Sequence, residues 1–274
     1  MSLLGLALPA VRPRMPARVL ISGAAGLGPL LTGLDLAERL GGRVTVIDAG
    51  DGESLELAGI HEFDVVHRTA PFAVDPLVEA LRTATGPLVV HNLSAWWTGP
   101  GGLSDVGHTV SWDAANAAVS RLVRAVRFSP AHVVATVRAR MRVHVDVVDG
   151  VEHPRLVGES MTLQDDIARA FSVIARTDSE LNLWVLATAI DSLGVGQTDA
   201  LHEALVEWHD EGGEVLDRET VAELVAPVAQ LRDKAARAAI RTDFRASFGP
   251  GFIPAAHLDA AREFIARHTT KETP

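Results

Sequence analysis

The stretch Ser22-Gly23-Ala24-Ala25-Gly26-Leu27-Gly28-Pro29 has the residue types and spacing to hold a phosphorylated ligand. Its glycines permit a tight turn and let backbone N–H groups approach a pyrophosphate. A helix beginning there adds the attraction of its N-terminus for negative charge. Asp48 follows Gly28 by about 20 residues, where a dinucleotide-binding unit carries the acid that hydrogen-bonds the adenosine ribose and repels a 2′-phosphate. Gly23, Ala25, Gly26, Leu27, Gly28 and Asp48 are the expected cofactor contacts. By this rule the cofactor leans to NAD(H), while Arg43 and the loop 49–52 leave NADP(H) open. A structural glycine turn is the competing reading.

These residues serve a cofactor only if a strand precedes the glycines and a helix follows. Arg18–Ser22 reads as a buried strand, and Pro29–Leu40 as a helix stopped by Gly41-Gly42. Further strands are expected at Arg43–Ile47, Phe63–Arg68, Pro87–Leu93, His132–Val137 and Leu183–Ala189. Helices are expected at Asp75–Arg82, Trp112–Arg127 and Leu163–Arg176. Alternating strands and helices predict an α/β protein with a Rossmann-type, doubly wound parallel sheet. The expected organisation is an extension over 1–17, a cofactor domain over 18–195, and a small, mainly helical part over 196–274 that packs on the sheet and binds substrate.

Composition removes several chemistries. The chain has 274 residues, a net charge of −10 and no cysteine, which excludes disulfides, thiolate catalysis and cysteine-bound metals. The acidic balance argues against nucleic acid as a partner. No segment is long and apolar enough for a membrane span, so a cytoplasmic protein is expected. Tyrosine is absent, and the only lysines are Lys234 and Lys271. Codon bias towards arginine is the plain explanation for the lysines. The eleven histidines form no His-Glu-x-x-His, and His144-x-Asp146 alone is too little for a metal site.

Gly23-x-x-Gly26-x-Gly28 resembles the extended and atypical short-chain dehydrogenase/reductases. Val89-Val90-His91-Asn92-Leu93-Ser94 is similar to that family's fourth strand, and Asn116 with Arg121-Leu122-Val123 to a later helix motif. Thr188–Gly196 is similar to the segment after its sixth strand, and Val215-Leu216-Asp217 to a further element. The resemblance spans roughly 18–226 and implies that Leu93, Ser94, Asn116 and Ala189 touch NAD(H) or NADP(H). It also implies a Ser-Tyr-Lys triad, but those positions fall near Ala139, Thr162 and Asp166, so no member survives. The alternative placement on Ser94, Trp112 and Asn116 fails by strand counting. A missing general acid costs roughly 10²–10⁴-fold in rate, so the proton must come from the substrate, another side chain or water.

The implied activity is reduction of a polycyclic aromatic, angucyclinone-like ketone in antibiotic biosynthesis, with the substrate's own phenol assisting protonation. Trp96 and Trp97 are expected to stack on the ketone, and Met141, Met161, Leu193 and Gln197 to wall the pocket. Hydrophobic packing is the competing account of the tryptophans. His91 is read as structural. Arg138 and Arg140, at a strand end, fit phosphate binding and solvation equally well. A homodimer is compatible with the resemblance. Intact glycines with an empty triad also suit a catalytically inactive NAD(P)-binding regulator, or a non-redox isomerase or cyclase.

Overall fold

The structure, a computed structural model, describes residues 7–23, 26–148, 151–249 and 251–269. Two compact units divide the chain: Pro16–Trp208, and the N-terminal residues through Met15 together with the chain from His209. The division falls 13 residues beyond the expected boundary at 195, and residues 7–15 go with the second unit.

The larger unit is α/β. It begins β1 (Arg18–Gly23), α1 (Gly28–Arg39), β2 (Val44–Asp48), β3 (Phe63–His67), α2 (Val74–Thr83) and β4 (Leu88–His91). Next come α3 (Ser94–Thr98), α4 (Leu103–Thr109), α5 (Trp112–Arg127), β5 (Val133–Val148) and β6 (Val151–Met161). It ends with α6 (Asp165–Ala168), β7 (Val173–Thr177), β8 (Leu183–Thr188), β9 (Gly196–Gln197) and α7 (Leu201–Asp210), whose last turn crosses into the second unit. The sheet order is β3-β2-β4-β5-β1-β7-β8-β9, with β6 paired to β5. β1, β2, β3, β4, β5 and β7 are parallel, whereas β8 runs against β7 and β9 against β8.

Helices cover both faces because successive strand residues point to opposite sides. Val19 and Ile21 join Leu30, Leu34 and Ala37 of α1 in one core. Leu20 joins Leu77 and Leu81 of α2 and Leu122 of α5 in the other. Burial on both sides explains the unbroken apolar run of β1.

Two departures bear on function. First, the dinucleotide-binding order places the first strand beside the second, but here β5 and β4 stand between β1 and β2. The α/β class and mainly parallel sheet hold, while the strand order departs from the Rossmann expectation. Second, the helix expected over Leu163–Arg176 is a four-residue turn, α6, followed by β7. β7 is flanked by β1 and β8, but it is only five residues long and alternates buried with half-buried positions, too short a run for its period to separate it from a helix. The strand expected to stop at Val137 instead continues into a long antiparallel ribbon with β6.

The second unit contains α8 (Arg218–Gln230), α9 (Lys234–Phe248) and α10 (Leu258–Thr269). Asp217 and Asp233 cap α8 and α9 by accepting from Thr220 N and Ala235 N. Val228, Ile240, Phe244, Phe248, Phe264 and Ile265 form its core.

Candidate functional site

β1 delivers Gly23 to the carboxyl edge of the sheet, and α1 starts at Gly28 with Pro29 in its first turn. A Cβ on Gly23 would stand 2.5 Å from Pro29 Cγ and 2.6 Å from Thr177 Oγ1, so no side chain fits there. Gly26 has φ +120°, a conformation open to glycine. Among the described residues no side chain caps the N-terminus of α1, and its first turn carries no acid. Its end therefore keeps a partial positive charge for an anion, with one backbone donor fewer than usual because Pro29 has no N–H. Ala25 lies outside the described residues.

The loop borders a cleft of about 290 Å3. The opposite wall comes from the ends of β4 and β5: His91, Asn92, Thr136, Val137, Arg138 and Ala139. Arg138 stands in register beside Gly23 and is exposed. Its backbone N–H donates to Ser94 Oγ at 3.0 Å, which fixes this strand end.

The floor is a hydrogen-bonded set of buried Thr136, Asn92 and His91 that ends on the exposed Glu53. Thr136 Oγ1 accepts from Asn92 N at 2.9 Å and lies 2.9 Å from His91 Nδ1. His91 Nε2 lies 2.8 Å from Glu53 Oε2. An ionised carboxylate only accepts, so Nε2 carries the proton. In the neutral ring Nδ1 then accepts the Thr136 hydroxyl proton. His91 is thus committed on both nitrogens, as the structural reading expected. Gly50 makes room for it, since a Cβ there would stand 2.5 Å from Nε2. Asn92 has φ +59° and donates through Nδ2 to Ala49 O at 2.9 Å, while its buried Oδ1 has no partner.

Asp48 is absent from this cleft. It is 1% exposed, and its Oδ1 accepts from Gly50 N at 2.7 Å. Its Oδ2 accepts from Ser54 N at 3.1 Å and Ser54 Oγ at 2.5 Å. Burial raises its pKa, but these hydrogen bonds together outweigh burial and hold the carboxyl below its ordinary value. Three strand spacings, roughly 14 Å, separate β2 from β1. Asp48 closes its own turn and does not meet a ribose anchored at the glycine loop, so the arrangement does not fit the dinucleotide expected there.

The other expected residues scatter. Leu27 is the N-cap residue of α1. Leu93 is core, and Ser94 holds the β5 end. Asn116 is exposed on α5 and is not among the residues lining the cleft. Ala189 donates to Ser172 O, beside the start of β7. Because β8 is antiparallel, its end lies at the amino edge of the sheet, opposite the glycine loop, and Ala189 goes with it. Leu193 is buried in the core beneath α1 and α7. Gln197 sits on the edge strand, paired with Trp184.

Trp96 is 1% exposed and packs edge-on against Phe72, with centroids 5.7 Å apart. Trp97 packs on the same core. Both behave as the packing alternative describes. Met141 and Met161 do meet, lining with Ala139 a separate cavity of about 650 Å3 beside Arg176 and Leu186. The triad positions build no acid. Thr162 Oγ1 is buried without a partner, and exposed Asp166 contacts Arg169 at 3.4 Å.

No protein-family model matches the chain, and no curated protein matches it. The loop also fits a second spacing. Gly23 and Gly28 stand as the two glycines of a phosphate loop, G-x-x-x-x-G-K-[S/T], between strand and helix. The lysine and hydroxyl positions are Pro29 and Leu30. The lysine would reach the terminal phosphates and the hydroxyl would hold magnesium. Neither function is available here. Among the described residues no cluster of three or more His, Asp or Glu could hold a metal. Sequence reasoning named Arg138 and His91 but missed Thr136, Asn92 and Glu53. The polar Thr136 inside an apolar strand was the one readable signal.

Proposed function

We propose that the cleft binds the phosphate part of a phosphorylated small molecule, a nucleotide by the loop's spacing, without transferring the phosphate. The observation that carries this reading is the uncapped α1 N-terminus and glycine loop with Arg138 in register beside Gly23. Backbone donors and a guanidinium converging on one cleft are what an anion requires. The replacement of lysine by Pro29 and of the hydroxyl by Leu30 supports binding without hydrolysis. This reading shares binding without turnover with the alternative of a catalytically inactive NAD(P)-binding regulator.

Reduction of an aromatic ketone retains the glycine loop as support, but Asp48, Trp96, Trp97, Leu193 and Ala189 do not gather around it. No helix among the described residues is long and apolar enough to cross a membrane.

Calorimetric titration with ADP, NADPH and inorganic phosphate tests the proposal. ADP should bind without turnover, and Arg138→Gln should weaken it about tenfold, as expected for one charge-assisted hydrogen bond. Equal ADP binding by wild type and Arg138→Gln would sink this assignment. Oxidation of NADPH by phenolic polycyclic ketones would reinstate the reductase reading.

A further inference from the structure

We infer that the β5–β6 ribbon is a docking surface for duplex DNA, engaged through its basic face. Beyond Ala139 the two strands pair with each other through Val148 and Val151. Strand alternation sorts their side chains. Met141, Val143, Val145 and Val147 share one face. Arg138, Arg140, Arg142, His144 and Asp146 share the other. Register adds Arg155 and His153 to the basic face, opposite His144 and Asp146, and assigns Glu159 and Glu152 to the apolar one. A bulge opposite Arg142/Val143, with Gly158 at φ +121°, preserves this sorting on β6.

Charge identifies the partner. Asp146 is the only carboxylate on the basic face among the described residues. It is already engaged by His144 Nε2 at 3.2 Å and Arg155 Nε at 3.3 Å. Arg138, Arg140 and Arg142 are exposed and form no ion pair among the described residues. They leave three unneutralised guanidiniums in a row on a chain whose net charge is −10. The expectation against nucleic acid came from that sum, but a polyanion responds to the local field.

Shape selects DNA. A two-stranded ribbon enters the major groove of B-DNA, about 12 Å wide. The deep, narrow major groove of RNA does not admit one. Residues 138–146 extend about 27 Å along the strand, and guanidiniums pair bidentately with phosphate or guanine.

The test is fluorescence anisotropy of a short labelled DNA duplex with the full chain across a potassium chloride series. Binding should weaken with salt, and Arg140→Ala/Arg142→Ala should flatten the log–log slope by about 2. Asp146→Asn releases Arg155 and should steepen the slope by about 1. Matching circular dichroism and melting curves show that the variants fold. The proposal is overturned by no binding at low salt, by unchanged binding in the double variant, or by duplex RNA or polyglutamate competing as well as duplex DNA. Arg140 and Arg142 lie outside the phosphate cleft, so loss of DNA binding with ADP binding intact separates this surface from the proposed nucleotide site.

Discussion

The ends of β1 and β2 make an informative pair. Both end parallel strands at the same edge of one sheet and lead into glycine-containing turns. After β2, the acid turns inward: the Asp48 carboxylate takes three donors from Gly50 and Ser54. Around the end of β1, polar groups are left over: the start of α1, the exposed Arg138 of β5 and the unpartnered Oδ1 of Asn92 after β4. Buried polar groups are costly unless paired, so the satisfied turn holds the fold and the unsatisfied one is where a ligand would be stabilised. An acid in the expected sequence position can belong to the first kind.

The largest effect expected from this contrast is on stability at β2. Asp48→Ala strands three donors and should cost about 3 kcal/mol, read by urea unfolding; a loss near zero would erase the distinction. Its pH dependence has a defined sign. Because the folded pKa lies below the ordinary 3.8, the carboxylate's contribution is fully present above that value. It is lost as pH falls through the folded pKa. Asp48→Asn should therefore remove part of the wild-type acid-unfolding slope below about pH 4.

A smaller cost, about 2 kcal/mol from overpacking, is expected for Gly23→Ala, along with loss of ADP binding. Arg138→Gln should do the reverse of Asp48→Ala: unfolding unchanged within about 0.5 kcal/mol, ADP binding weakened. Smallest is Thr162→Val, which replaces an unpartnered buried hydroxyl with a methyl and should leave stability within about 1 kcal/mol. A large destabilisation would reveal a partner for that hydroxyl, and loss of a measured turnover would restore its role as an acid.

Local signals were legible. The glycine loop, the flanking β1 and α1, and the helix Trp112–Arg127 follow from turn chemistry and apolar spacing. The ribbon also had a local signal: Met141, Val143, Val145 and Val147 alternate with Arg140, Arg142, His144 and Asp146. The hairpin dipeptide Asp149-Gly150 follows, although it lies outside the described residues. Treating the strand as finished at Val137 missed that alternation. β7 had no separate signal, because Val173–Thr177 is only five residues long and includes Arg176, too little for a period of two to stand out.

The sequence by itself determined the α/β class, the glycine loop between β1 and α1, and the absence of tyrosine and of any lysine before Lys234. These depend on residue type and near neighbours. Only the tertiary structure decided which strands lie side by side. Insertion of β4 and β5 between β1 and β2 separates Asp48 from the glycines and brings His91, Asn92, Thr136 and Arg138 to them instead. The reversal of β8 carries Ala189 to the opposite edge. Spacing along a chain measures the length of a connection. It does not say how many strands that connection crosses, and the crossing sets which side chains share a site.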